Sequence, residues 1–384
     1  MRKTRSAPSP MPKAAPSSLL VDVAGQFPGA SQPIAVAGRP QLVQFDVDDG
    51  RWLIRGLSSD QADALVSSRH QLLAHPAIAE TGIAPIPHST HSHGLADGAP
   101  YEVVSFLPGS SWAMNGRLML DGHGLHRPLP PPPGGLAAVA AQVAQFHLAS
   151  EQAPEGLLPR LSVRDYQQAQ RNRWQEVKRQ IQVSGVREAH IQRWLSASQR
   201  VVFASWDVLE AVDFLRPIPL VATHGDLWPT HVVADKSMVR LVDWRTARHA
   251  SPLTDIAQLI ARFVGWSGPA LEEVVESYMT VRTLSADERR LLPVFGALDL
   301  AVETGIILAE AYVADIDQTS HYAELARSGA GQMLASLESI GWSIRKTNMD
   351  SRELRREAKE HARAVREPGR KPRPRRLSSK RPKQ

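Results

Sequence analysis

The chain has 384 residues, 42% of them hydrophobic, no cysteine and a formal net charge of +6. Its length and apolar fraction suit one large two-lobed unit with a sizeable core, and the lack of cysteine excludes disulfide frameworks and thiolate metal sites. The charge is uneven: residues 345–384 carry 16 basic against 5 acidic side chains, residues 1–19 carry 4 against none, and the body between them is left at −9.

In chain order, residues 1–29 are basic and rich in Ser and Pro and read as a disordered leader. Their apolar run, residues 19–21, stops at Asp22, too short for a signal segment, so a cytoplasmic location is expected. A small β-rich lobe is expected over residues 30–108. PQLVQFDV and RWLIRGL flank Asp48-Asp49-Gly50, and Asp-Gly between two β-rich runs signals a hairpin. A helix follows over SSDQADALVSSRHQLLAHPA, with Asp60 or a preceding Ser as a candidate cap. GIAPIP and YEVVSFLPG then read as further strands. Between them His88, His91 and His93 form a cluster that reads more simply as a polar hairpin loop than as a metal site.

A larger, mostly helical lobe is expected over residues 109–344. It begins near the hinge at 106–112 and the proline-rich stretch RPLPPPPGG (127–135), which cannot be helix interior. Long helical patterns follow, interrupted by two short strands, HVVAD and VRLVDW. The most apolar stretch, 295–313, carries Asp299, Glu303 and Glu310, which excludes a membrane span and predicts a buried core helix. Residues 345–384 read as a flexible basic tail, a candidate for weak contact with nucleic acid or an anionic surface without sequence specificity.

The chemistry concentrates in HGDLWPTHVVADKSMVRLVDW, residues 224–244. Phosphoryl transfer needs a carboxylate to orient the attacking hydroxyl and cations to neutralise the phosphate oxygens. A kinase catalytic loop supplies an Asp, an Asn five residues later on a metal, and a metal-binding Asp beyond a hairpin. Asp226 stands in the first position, His231 where the Asn would be, and Asp243 at the end of VRLVD. Antiparallel pairing of the two strands would return Asp243 to the neighbourhood of His231.

With ARHASPLTDIA (247–257) after it, this stretch resembles the aminoglycoside phosphotransferase and choline kinase-like family. The resemblance implies an α+β, two-lobed protein-kinase-like fold and ATP-dependent phosphorylation of a hydroxyl group on a small molecule, with Mg²⁺, or Mn²⁺ in its place. By the resemblance Asp226 is the catalytic base, Asp243 the metal ligand and Asp255 a structural acceptor steadying the catalytic loop. Arg55 matches the strand cation on the nucleotide phosphates, and His147 a packing histidine.

Three features depart from the pattern. His231 replaces Asn, and imidazole suits softer divalent ions better than Mg²⁺, which prefers oxygen. The first hairpin holds only Gly38 in place of a glycine-rich loop. The small-lobe helix offers no Glu to pair with Arg55. A catalytically weak or inactive kinase fold used as a binding module therefore stands as the alternative, and beside it an anion-binding adaptor acting through the tail. No acidic pocket for a cationic acceptor is legible.

Overall fold

The computed structural model describes residues 17–35, 41–47, 50–57, 63–111, 135–213, 218–235, 238–313, 327, 329–341, 344 and 356. The architecture is α+β and two-lobed, a small antiparallel sheet followed by a larger helical part. Gly38, Asp48, Asp49, Asp60, the proline-rich stretch 127–133 and the basic tail apart from Arg356 lie outside the described residues.

The small lobe runs α1 (Ser17–Ala24), β1 (Ile34–Ala35), β2 (Leu42–Val47), β3 (Gly50–Gly56), α2 (Asp63–Leu73), α3 (Pro76–Ala79), β4 (His93–Ala96) and β5 (Ala99–Ser105). Its five strands pair in the order β1-β2-β3-β5-β4, antiparallel throughout. Successive side chains on a strand point to opposite faces, so Val43 and Phe45 on β2 and Trp52 and Ile54 on β3 turn to one buried face. The hairpin falls where expected, with Val47 opposite Gly50.

Two expectations give way here. The disordered leader was expected to extend to residue 29, yet residues 17–24 are helical. Leu20, Val23 and Ala24 share one helical face and bury, with Phe27, against the sheet. Secondly, GIAPIP is not a strand. Pro85 and Pro87 cannot donate to a ladder, and the segment makes only an isolated bridge, Pro87 to Val104. The edge strand is β4 instead, built from the end of the histidine-rich stretch.

The large lobe holds β6 (Ser110–Ser111), α4 (Gly135–Ser150), α5 (Val163–Ser184), α6 (Ala189–Asp213), β7 (Val221–Thr223), β8 (Val232–Ala234), β9 (Val239–Leu241), β10 (Arg248–Ala250), α7 (Leu253–Phe263), α8 (Gly268–Met279) and α9 (Ala286–Tyr312). A last helical segment covers 329–341. Ser285 and Glu288 cap the start of α9 reciprocally, which satisfies two otherwise orphaned backbone donors. Among the described residues α9 is the one helix long and apolar enough to cross a membrane, and 83% of its apolar window is buried inside the protein. It packs on α5, α6 and α7, so its carboxylates must find partners within the fold.

The lobes join at the segment after β5. Phe106 N–H donates to Arg51 O at 2.8 Å, and Gly109 then passes under β8. A Cβ on Gly109 would lie 2.5 Å from the Ala234 carbonyl oxygen, and its φ of +131° is one that side-chain-bearing residues rarely adopt. Gly109→Ala should therefore destabilise the protein by about 2 kcal/mol or more, measured as a lower denaturant midpoint at unchanged slope. A midpoint equal to that of the parent would contradict this packing.

Candidate active site

Asp226 sits in the turn after β7, and the turn is held from below by α7. Asp255 Oδ2 accepts the His224 N–H at 2.7 Å and Oδ1 the Gly225 N–H at 2.8 Å. Gln258 Oε1 takes the Leu227 N–H at 2.8 Å, and its amide donates back to Gly225 O at 3.1 Å. Each backbone donor of this buried turn thus has an acceptor, as burial demands. Gly225 has φ +79°, and a Cβ there would meet Thr246 O at 2.6 Å. Asp255 is the brace that the resemblance implied. His147 does more than pack: its two ring nitrogens bridge Tyr278 Oη at 2.8 Å and Asp255 Oδ2 at 3.1 Å.

The Asp226 side chain is pinned on one oxygen. Oδ1 accepts from Arg262 at 2.7 Å and from the Trp228 indole N–H at 2.9 Å. The Arg262 guanidinium also lies 4.1 Å over the Trp228 ring, a favourable cation–π arrangement. Among the described residues Oδ2 accepts no hydrogen bond and faces the cleft. Burial works against ionisation of Asp226, but the charge and hydrogen bond of Arg262, together with the neighbouring side chains, outweigh it and hold the carboxyl below its usual range. Arg262 is buried itself, bidentate on Asp299 at 2.6 and 2.9 Å and 3.3 Å from Glu303.

The hairpin β8–β9 brings His231 and Asp243 together. Val232 pairs with Leu241, Val242 N–H donates to His231 O at 2.9 Å, and His231 Nε2 lies 3.5 Å from Asp243 Oδ2. His231 Nδ1 must carry the ring proton, because it donates to the Asp226 carbonyl oxygen at 2.7 Å. Burial lowers the His231 pKa despite the Asp243 charge, so the ring is neutral and Nε2 presents a lone pair to a carboxylate. Two electron donors facing each other at that distance fit a divalent cation bound between them. The oxygen ligands that Mg²⁺ favours are fewer than the Asn pattern would supply, and an imidazole nitrogen suits softer divalent ions better. Asp243 has a left-handed backbone, φ +66°, which aims its carboxylate back into the cleft.

Arg55 connects the lobes. It donates to Asp243 Oδ1 at 2.8 Å from one nitrogen and to Glu102 Oε1 from the other two, one of them at 2.7 Å. Burial costs Asp243 and Glu102 ionisation, but the Arg55 charge keeps both carboxyls well below the ordinary range. Glu102 supplies the partner that the small-lobe helix lacks. It stands directly across from Arg55 in the β3–β5 register, and α2 tethers to it from the other side through Arg69 at 2.6 Å and His70 at 3.1 Å. The usual polarity is thus reversed, with the acid on the sheet and the base on the helix.

These groups line one cleft of about 830 Å³ between the lobes. Leu42, Leu53, Val104 and Phe106 give it an apolar end on the small-lobe side. Near them Arg55, Arg69 and Arg245 exceed Glu102 and Asp243 in charge. At the far end Asp226, Glu303 and Glu310 line the wall together with Ile306, Ile307 and Met333, and Arg262 is shared among Asp226, Asp299 and Glu303. Burial and the neighbouring Glu303 both raise the Glu310 pKa, as expected where carboxylates crowd. The cleft is therefore basic at one end and acidic at the other, and the acidic pocket comes from α9. Glu102, Trp228, Arg262 and Glu303 escaped the sequence reading. A signal existed for two of them: Arg262 stands in an apolar helix, and Asp299 and Glu303 are one turn apart in another, so buried charges had to pair.

Among the described residues no three His, Cys, Asp or Glu side chains are grouped to hold a metal. His88 and His91 instead pack their rings on Phe27, and His93 lies across from Glu102 on the edge strand.

Comparison with known proteins agrees with the fold. The model of the phosphotransferase enzyme family matches residues 39–293. An aminoglycoside phosphotransferase from Alicyclobacillus acidocaldarius aligns with TM-score 0.56 and 18% identity, over 90% of this chain and 99% of that one. A choline/ethanolamine kinase family protein from Mesorhizobium loti aligns with TM-score 0.55 and 15% identity, over 87% and 99%. An amicoumacin kinase in complex with AMP-PNP and Ca²⁺ aligns with TM-score 0.52 and 13% identity, over 84% and 93%. No curated protein matches the chain significantly.

Proposed function

The chain belongs to the phosphotransferase enzyme family, matched over residues 39–293, and from that premise we propose that it transfers the γ-phosphoryl group of ATP to a hydroxyl group of a small molecule. The observation that carries the reading is one cleft with two ionised carboxylates in different settings. Asp226 has one oxygen pinned and one free, as a base that orients an acceptor hydroxyl requires. Asp243 faces the unprotonated nitrogen of His231. A divalent cation held by this pair would supply charge neutralisation at the phosphate oxygens. Arg55, fixed by Glu102, is the side chain that reaches the phosphates from the small lobe. An amicoumacin kinase of similar fold is in complex with a nucleotide analogue and a divalent cation, which supports nucleotide use by this fold.

The acidic far end favours an acceptor with a positive charge beside its hydroxyl, an amino alcohol with an apolar flank for Ile306, Ile307 and Met333. A second reading, a binding module without turnover, draws on one observation: Asp243 already holds two arginines.

Thermal unfolding with ATP plus Mg²⁺ and ATP plus Mn²⁺ separates these readings. At 100 times its dissociation constant a nucleotide should stabilise the fold by about 2.7 kcal/mol. Mn²⁺ should give the larger shift, and His231→Asn should reverse that order by restoring an oxygen ligand. If neither cation with ATP moves the transition in either protein, the phosphotransferase reading fails. If ATP binds but no amino alcohol is phosphorylated, the binding module takes its place.

A further inference from the structure

Asp243 is over-supplied with cations. Its Oδ1 accepts from Arg55 at 2.8 Å and from Arg245 Nε at 2.6 Å, and its Oδ2 accepts from the second Arg245 nitrogen at 2.8 Å. The two arginines differ in freedom. The Arg55 side chain is 17% exposed and holds buried Glu102 through two nitrogens, so it cannot leave without giving up that buried ion pair. The Arg245 side chain is 46% exposed, and among the described residues Asp243 is its sole hydrogen-bonding partner. It is attached only two residues away, in the middle of the short turn after Asp243.

Oδ2 is the oxygen that matters. It faces His231 Nε2 at 3.5 Å and is the atom through which the pair would share a divalent cation. Arg245 covers the same oxygen. A guanidinium and a divalent ion a few ångströms apart on one carboxylate oxygen repel each other, so Arg245 on Oδ2 opposes cation binding there. We propose that Arg245 is a built-in counter-ion to Asp243 that competes with a divalent cation for Oδ2 and swings out when the cation binds. The device adds to the neutralisation of Asp243 in the absence of cation and weakens its hold on free cation. It couples cation entry to arrival of the nucleotide, whose phosphates offer the displaced guanidinium a new partner.

The inference rests on the reading of the cleft as a metal–nucleotide site, and cation binding without nucleotide tests the two separately. Mn²⁺ would be titrated into the full-length protein, with free Mn²⁺ followed by electron paramagnetic resonance, for the parent, R245Q and D243N. Arg245 is half exposed, so R245Q should fold as the parent does, which the unfolding transition checks. R245Q is expected to bind Mn²⁺ roughly tenfold tighter than the parent, and D243N is expected to lose binding. Equal or weaker binding by R245Q overturns the inference and leaves the metal site intact. If R245Q instead weakens only Mn²⁺·ATP binding, Arg245 is a phosphate ligand and not a counter-ion. If neither the parent nor R245Q binds Mn²⁺, with or without ATP, the metal reading of the cleft falls and takes the inference with it.

Discussion

Asp226→Asn should lower phosphoryl transfer by about 10²-fold or more while leaving nucleotide affinity within a factor of about two. A positioned base contributes about 10² to 10⁴ in rate, and an asparagine there cannot accept the acceptor proton. The change keeps the shape of the side chain, and its amide oxygen still accepts from Arg262 and Trp228, so the cleft should stay assembled. Asp243→Asn should act the other way, weakening metal–nucleotide binding first, because its carboxylate meets Arg55 and His231 and not the acceptor. Initial rates with the amino alcohol that the parent phosphorylates fastest, set beside nucleotide titrations, distinguish the two. Equal loss of ATP affinity in both variants would remove the division of roles. The pH profile adds a check on sign. The folded Asp226 carboxyl is depressed, so it stays ionised down to pH values below the ordinary carboxylate range of about 3.9. An acid limb near neutrality would have to come from another group.

The local part of this site was legible and the distant part was not. Asp226, His231, Asp243 and Asp255 lie within one loop, one hairpin and one helix start, where spacing translates directly into geometry. Two residues per strand step and a short connection are enough to bring Asp243 back to His231. Glu102 lies 47 residues from Arg55, and Asp299 lies 37 from Arg262. No periodicity within either segment says which faces meet, since sheet register and helix docking decide that. The usual tether runs from an acid on the helix to the strand cation, whereas here the acid sits on the neighbouring strand and the helix carries Arg69. The acidic end of the cleft was missed for a related reason. Asp299, Glu303 and Glu310 were weighed only as arguments against a membrane span, although charges on a buried helix must also have partners. The leader was misread because a three-residue apolar face on a short helix gains stability only from the sheet it covers.

Arg262→Met should be the most damaging substitution in the large lobe, costing about 3 to 5 kcal/mol of stability. Arg262 is 2% exposed, and Asp299 beside it is fully buried. Removing the guanidinium leaves Asp299 and Glu303 in an apolar wall with one arginine, Arg173, on Glu303. Uncompensated buried carboxylates protonate in place of remaining charged, and burial together with Asp299 already raises the Glu303 pKa in the parent despite Arg262. The sign of the pH dependence follows. A carboxyl whose folded pKa lies above its unfolded one destabilises the protein increasingly as pH rises past the unfolded value, about 4. The stability deficit of the variant should therefore be largest at pH 7 to 8 and shrink on acidification towards pH 5. Asp226 loses its main counter-charge in the same variant, so its pKa should rise and the acid limb of any remaining activity should move to higher pH. Denaturant unfolding of parent and variant at several pH values reads the first effect, and the pH–rate profile reads the second. A deficit that is small and independent of pH would mean that Asp299 and Glu303 find other partners, and that the ion pair is not what holds α7 against α9 at the acceptor end.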